Sequence, residues 1–360
     1  MIRLPNAIMA FAKDDVNVYE RFVDYFNHFH GKTGKFDDQI SLSEKKEKIN
    51  FQIREQIGKL ANVPNVGGIA PEVLATAPQY QWATFAVIGA MVDAILPDAI
   101  IDSIGLYTDL RVGGYGDSFA FDIEARDLFV VSKYGHAGRS AEVKKQFKGQ
   151  VTIVPEFREI TVQTSLYKVL AGLEDMAEFA MKAARSIETQ MSYDAYAAFD
   201  TAMTALPTTG TNTLKVAGYT QGDLVHLGQT VTAWNGGRKA VIVGTQLALQ
   251  NILPADVNYR YSLDSEYVKM GYIKTAFGFD IMVLPQVADY KTEFSLALND
   301  SKIYVVSPSG DKLIKGALEG ATMSNVTNAY TNANLTDNVT MRKSWGFAVA
   351  TSSIAALITL

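Results

Sequence analysis

Cysteine is absent from the 360 residues. Without a thiol the chain can build no disulfide, thiolate metal site, iron–sulfur cluster or cysteine nucleophile. Histidine is scarce, with four residues, and His28 and His30, two apart, put their rings on different faces of a helix and suit a shared metal poorly. Excess positive charge is missing as well: 33 Lys and Arg against 38 Asp and Glu leave a net charge of −5. A protein that grips DNA through a basic face clusters cations against the phosphates, so this balance argues against that class. Nor is there an uninterrupted apolar run. The greasiest stretch, Phe85 to Ile101, is broken by Asp93, Pro97 and Asp98, whereas a spanning helix wants about 20 apolar residues free of charge. The opening residues, with Arg3 ahead of a short mixed run that ends in Asp14 and Asp15, make a poor signal peptide.

What the chain does have is apolar content, 48% of all residues. A chain of this length buries about 75% of its unfolded surface in one or two domains, which excludes general disorder. Residues 14–60 read as polar helices: Ser41-Leu42-Ser43-Glu44 has capping-box spacing, and Ile49, Ile53 and Ile57 follow at helical intervals. Val63 to Pro78 reads as an extended connector into an apolar helix near Trp82–Leu96. In the β-like zone over 105–163, Phe119, Phe121, Ile123 and Ala125 alternate with Ala120, Asp122, Glu124 and Arg126, and Leu128 to Val131 continues the run. A basic, turn-rich tip, Lys133 to Arg139, leads to a return strand over Val151–Val154 and Phe157–Val162, with Pro155 inside it confining that strand to an edge or a bulge. The expected product is a long two-stranded ribbon. Such a ribbon is barely stable alone and must lie on something else.

Ser165 to Met203 carries the clearest periodicity. It holds no proline and one glycine, and apolar residues recur from Leu166 through Leu173, Ala180 and Ile187 to Met191 and Phe199. Unbroken, the 39 residues would extend about 58 Å, longer than the roughly 53 Å diameter of a compact body of this chain length. The expectation is therefore a flat, elongated molecule; a break at Ser192-Tyr193-Asp194 is the alternative. The remainder reads as mixed α/β. Strands are expected at Ala240–Val243, Phe279–Leu284 and Ile303–Val306, with a short helix over Thr245–Leu253 stopped by Pro254. A polar loop is expected over Ala321–Thr340, and an apolar tail, Phe347–Leu360, to close a sheet.

Chemical motifs fail one by one. Gly31-Lys32-Thr33 imitates the end of a phosphate loop, but Phe26 occupies the first glycine's place. Gly113-Gly114-Tyr115-Gly116 lacks the third glycine of a dinucleotide site and reads as a hinge at the ribbon root. No nucleophile elbow appears. Glu174, Asp175 and Glu178 read as a solvated helix face, and the sequons at Asn325, Asn334 and Asn338 matter only in a secreted protein. No catalytic residue, cofactor site or metal site is assigned, and weight moves to a structural role.

The order of parts carries a resemblance. A helical and extended N-terminal arm leads to a β-ribbon, which runs into a long helix near Thr164-Ser165-Leu166-Tyr167-Lys168. An α/β region containing Thr245 to Pro254 follows, with Gly271-Tyr272-Ile273 leading into Phe277-Gly278-Phe279-Asp280-Ile281, and Arg342-Lys343-Ser344-Trp345-Gly346-Phe347 precedes a final apolar strand. Over about residues 80–360 this resembles the major capsid protein of tailed bacteriophages, a fold shared with encapsulin compartments. The resemblance implies an α+β fold in five parts. Residues 1–104 would be the N-terminal arm and helices, 105–160 the extended loop, 161–206 the spine helix of a peripheral domain, 207–340 an axial domain, and 341–360 a strand returning to the peripheral domain. It also implies a non-enzymatic, self-assembling subunit that forms pentamers and hexamers, made in the host cytoplasm and ending in the virion shell. Its partners would be identical subunits, a portal, scaffolding or decoration proteins, and packaged double-stranded DNA. Candidate inter-subunit contacts are Phe119, Phe121, Lys133, Tyr134, His136, Arg139, Phe157 and Arg158. Lys133, Lys144, Lys145 and Lys148 lie where some family members carry a cross-linking lysine. An encapsulin-like compartment is the alternative within the fold, and an α/β enzyme near Asp109, Arg111 and Asp117 the alternative outside it.

Overall fold

The computed structural model describes residues 16–32, 34–62, 78–104, 108–123, 149–163, 176–208, 213–252, 274–289, 294–307, 312–327, 338–349 and 353–360. Three helices come first: α1 (Val16–Phe29), α2 (Leu42–Leu60) and α3 (Pro78–Ile104). The Ser41 cap is formed as its spacing predicts, its Oγ accepting the Glu44 amide at 3.4 Å. Ile49, Ile53 and Ile57 of α2 are at most 2% exposed and pack with Phe22, Tyr25 and Phe26 of α1. Each such burial contributes about 1.5–3 kcal/mol, so this stripe, rather than helix propensity, seats α2. The expected connector over 63–77 lies outside the described residues.

The long helix is α4 (Met176–Thr204), 29 residues and about 43 Å. It runs through Ser192, Tyr193 and Asp194 without a break. Asp194 is held from both sides: Oδ1 accepts from Gln190 Nε2 one turn earlier at 2.7 Å, and Oδ2 accepts the Trp345 indole N–H at 3.0 Å. The start expected at Ser165 lies outside the described residues. Ala177, Ala180, Ala184, Ile187 and Met191 pack in the same core as α1–α3, and Ala195, Phe199 and Met203 continue onto a second core. One helix thus spans two hydrophobic bodies.

Those bodies are organised by two sheets. The first has four strands, in order β1 (Thr108–Gly113), β12 (Ile314–Thr327), β13 (Asn338–Val349) and β4 (Glu156–Gln163). The second has six, in order β5 (Lys215–Ala217), β14 (Ala356–Thr359), β11 (Lys302–Val306), β6 (Val241–Gly244), β8 (Phe279–Val283) and β7 (Thr275–Ala276). Helix α5 (Gln221–Trp234) and the short α6 (Gln246–Gln250) share a core with the six-stranded sheet. A small hairpin joins β9 (Ala288–Asp289) to β10 (Ser295–Leu296). Strands β6, β8 and β11 and helix α6 fall where the sequence placed them.

Three expectations need correction. The return strand of the ribbon is two strands: β3 (Gly149–Ile153) pairs with β2 (Phe119–Ile123), while β4 pairs with β13. Pro155 has no N–H to carry a ladder past this point, and the chain changes sheet there. The polar stretch Ala321–Thr340 is not a loop over its described parts, since β12 continues to Thr327 and Thr327 faces Asn338 across an antiparallel ladder. Thr, Val and Met side chains suit a half-buried strand, and the partner across the sheet overrides the loop-like composition. The 341–360 segment is also divided: β13 belongs to the four-stranded sheet, and β14 lies inside the six-stranded one, with Ala356, Leu357 and Ile358 fully buried. Likewise β12, within the 207–340 region, is a member of the four-stranded sheet.

Candidate functional site

The paired strands β2 and β3 pack on one face of the four-stranded sheet, and this ribbon base is where sequence and structure concentrate polar chemistry. Alternation puts Leu318, Met341 and Trp345 toward the helices, in the core that α3 and α4 share. On the other face, Ala317 and Ala348 form a flat floor on which Phe119, Phe121 and Ile153 of the ribbon pack. Arg111 of β1 lies over the Phe121 ring at 4.2 Å and donates to the Ala120 carbonyl. Lys315 of β12 sits 5.8 Å from the same ring, with Asp109 3.7 Å from its ammonium.

A β-bulge lies beside this base. Glu319 faces Ser344 and Met323 faces Arg342, so Gly320, Ala321 and Thr322 oppose Lys343 alone. Three of the extra backbone groups are met, each by a side chain from a different element. Lys343 Nζ donates to the Gly320 carbonyl at 2.6 Å, and Tyr115 Oη to the Ala321 carbonyl at 2.7 Å. The Thr322 amide donates to Asp93 Oδ2 at 2.8 Å. Asp93 Oδ1 also accepts from Thr322 Oγ1 and from Lys343 Nζ, both at 2.6 Å. Asp93 and Lys343 are 8% and 3% exposed, so this is a buried, hydrogen-bonded ion pair. Gly89, one turn before Asp93 on α3, clears the approach: a Cβ there would sit 3.3 Å from the Thr322 carbonyl.

The glycine run Gly113-Gly114-Tyr115-Gly116 is the turn leading into the ribbon. Gly114 N–H donates to Asp117 Oδ2 at 2.6 Å, and Gly116 N–H to Glu319 Oε1 at 2.8 Å; Glu319 Oε2 accepts from Ser344 Oγ at 2.9 Å. Gly116 (φ +85°) and Gly320 (φ +62°) occupy the left-handed region that glycine tolerates. The Tyr115 ring stacks on Phe157 of β4, with centroids 6.2 Å apart, and burial, then the charges of Asp93 and Glu319, hold its hydroxyl above the ordinary tyrosine range. Asp109, Arg111 and Asp117, the residues of the enzyme alternative, are therefore engaged with the ribbon base and its turn.

No family model matches this sequence, and no curated protein matches it. Solved structures do match. The capsid of the native GTA particle aligns with TM-score 0.48 and 13% identity, over 72% of this chain and 89% of that one. The capsid of Cyanophage P-SCSP1u aligns with TM-score 0.45 and 10% identity, over 71% and 86%. A virus-like particle from Pyrococcus furiosus aligns with TM-score 0.40 and 9% identity, over 72% and 96%. This chain is similar to capsids.

Of the expected contact residues, Phe119 and Phe121 are corrected. They are 4% and 1% exposed, covered by Ala317 and Ala348 of their own chain, because their alternation faces that alanine floor. Phe157 is 55% exposed at the edge strand. Arg158, its neighbour, is half-buried, held by Glu156 at 2.8 Å and near Asp194 at 3.5 Å, contacts that raise its guanidinium further above the ordinary arginine value. The structure does not bring Phe157 and Arg158 to one surface: they point to opposite faces of β4. Lys133, Tyr134, His136 and Arg139 lie outside the described residues. Sequence reasoning missed Asp93, Glu319 and Lys343; a carboxylate inside an otherwise apolar helix was the available signal for Asp93. Among the described residues no cluster of three or more metal-binding side chains occurs, and no helix is long and apolar enough to cross a membrane.

Proposed function

We propose that this chain is the major capsid subunit of a tailed-phage type of head, assembling from pentamers and hexamers into a closed shell around double-stranded DNA. The observation that carries the reading is the free edge of the four-stranded sheet. Among the described residues β4 pairs on one side only, and Val154 and Phe157, beside and on it, are 78% and 55% exposed. An open strand edge with large apolar side chains is an aggregation hazard unless another chain covers it. Identical neighbours under rotational symmetry cover it in a closed shell. In this reading α4 is the spine, the four-stranded sheet the peripheral platform and the six-stranded sheet the axial body. The ribbon base packs on its own subunit, so the neighbour's share is the edge of β4. A net charge of −5 suits a wall that must not hold the genome fast. A portal and scaffolding or decoration proteins would complete the head.

The test is size. Purified protein should sediment as shells, or as pentamers and hexamers that close into them, and Phe157→Asp should abolish closure while far-ultraviolet circular dichroism stays unchanged. A compact monomer at high concentration, indifferent to salt and crowding, would overturn the proposal. Shells filled with host enzyme and no nucleic acid would replace it with a storage compartment.

A further inference from the structure

We propose that the Gly320–Thr322 bulge is a conformational coupler that ties the seating of α3 to the direction of the ribbon. The inference does not rest on the shell reading. Three features of the bulge carry it. Its backbone groups are partnered from three separate elements: Lys343 on β13, Tyr115 in the turn that launches the ribbon, and Asp93 on α3. The partners are themselves joined, because Lys343 Nζ bridges Gly320 O and Asp93 Oδ1, both at 2.6 Å. The bulge also cannot relax independently of the turn, since the Tyr115 ring lies against Gly320 so closely that a Cβ at that glycine would fall 2.2 Å from it.

A shift of α3 that carries Asp93 away therefore removes the acceptor of Thr322 N–H and the counter-ion of Lys343 together. Lys343, 3% exposed, has no water to turn to at this depth, so the bulge whose Gly320 carbonyl it holds must move with the helix. Moving it displaces Ala321 O from Tyr115 and Glu319 from the Gly116 amide, which are the contacts that aim the turn. The same chain runs in reverse, as any coupling between two sites must. Well-made hydrogen bonds and a buried pair make such a junction discrete: it is either closed or open.

Amide hydrogen exchange on two conservative variants tests this. Thr322→Val removes only the hydroxyl that donates to Asp93, on the α3 side; Tyr115→Phe removes only the hydroxyl that donates to Ala321, on the ribbon side. If the bulge couples the two, Thr322→Val will speed exchange of the ribbon amides over Phe119–Ile123 and Gly149–Ile153 about fivefold or more. Tyr115→Phe will speed the α3 amides around Gly89–Asp93 by a similar factor, as expected for coupling at the low end of the usual range. Exchange in β11 and β14 of the six-stranded sheet should not change. Effects confined to each variant's own side would overturn the proposal. So would uniform acceleration that includes β11 and β14, because the junction would then act only through global stability.

Discussion

Removing Asp93 should be among the most damaging single changes available in the described parts of this chain. Asp93→Ala strips the carboxylate from Lys343, which is 3% exposed and keeps only the Gly320 carbonyl, and it orphans the Thr322 amide. Breaking one half of a buried pair costs about 3–5 kcal/mol, because the surviving charge stays desolvated. Replacing both partners by apolar residues of similar size, Asp93→Leu with Lys343→Met, removes the uncompensated charge. What remains is a Gly320 carbonyl and a Thr322 N–H without partners, about 1–3 kcal/mol each; the Thr322 amide is orphaned in both variants, so the difference between them is a stranded buried ammonium against one unpaired carbonyl. The double variant should therefore be more stable than the single one. Urea unfolding followed by tryptophan fluorescence measures this directly, since Trp345 lies in the same core as the sheet and α4. The midpoints should rank wild type, then double, then single, with unchanged slope. A single variant within about 1 kcal/mol of wild type, or a double variant no better than the single, would show that the pair is not the buried, mutually dependent unit described.

Other outcomes follow from the same packing. Gly320→Ala forces a left-handed φ of +62° on a residue with a Cβ and drives that Cβ into the Tyr115 ring; the left-handed conformation alone costs about 1–2 kcal/mol, and a lower urea midpoint checks it. Gly228→Ala in α5 sets two effects against each other. Helix propensity favours alanine by about 1 kcal/mol. The new Cβ would lie 2.5 Å from the buried Phe279 ring, and overpacking of that kind costs about 1–3 kcal/mol, so thermal unfolding should move down rather than up. Tyr304, 1% exposed, has its hydroxyl raised above the ordinary tyrosine value by burial, then by hydrogen bonds with Tyr196 and Asp200. Above about pH 10 the unfolded chain releases tyrosine protons that the folded chain retains. Stability contributed below that pH is therefore lost as pH rises, and Tyr304→Phe should flatten the decline in urea midpoint on the alkaline side.

Much of the scaffold was legible because it follows local periodicity. α4 announces itself through apolar spacing without proline, and it survives Ser192-Tyr193-Asp194 because those residues find partners at helical or cross-element distance. The Ser41 cap was readable because a cap needs only the next three residues, and its side chain accepts the expected Glu44 amide. The ribbon base was readable as alternation, but alternation does not say what the apolar side will cover. Phe119 and Phe121 could meet a neighbour or their own sheet with the same pattern, and Ala317 and Ala348, some 200 residues later, decide it. Arg342 and Lys343 are adjacent cations that the sequence does not tell apart; strand pairing turned Lys343 inward while Arg342 stayed out, paired with Glu159 at 2.8 Å.

By itself the amino-acid order determined the elements whose causes lie within a few residues: helices with an apolar stripe and a capped start, and strands with clean alternation. It also ruled out thiol chemistry. Which sheet each strand joined, that Asp93 and Lys343 meet across 250 positions, and that three elements converge on one bulge were settled only when the chain closed on itself. A buried charge is tolerated only beside its partner, and sequence distance carries no information about that proximity.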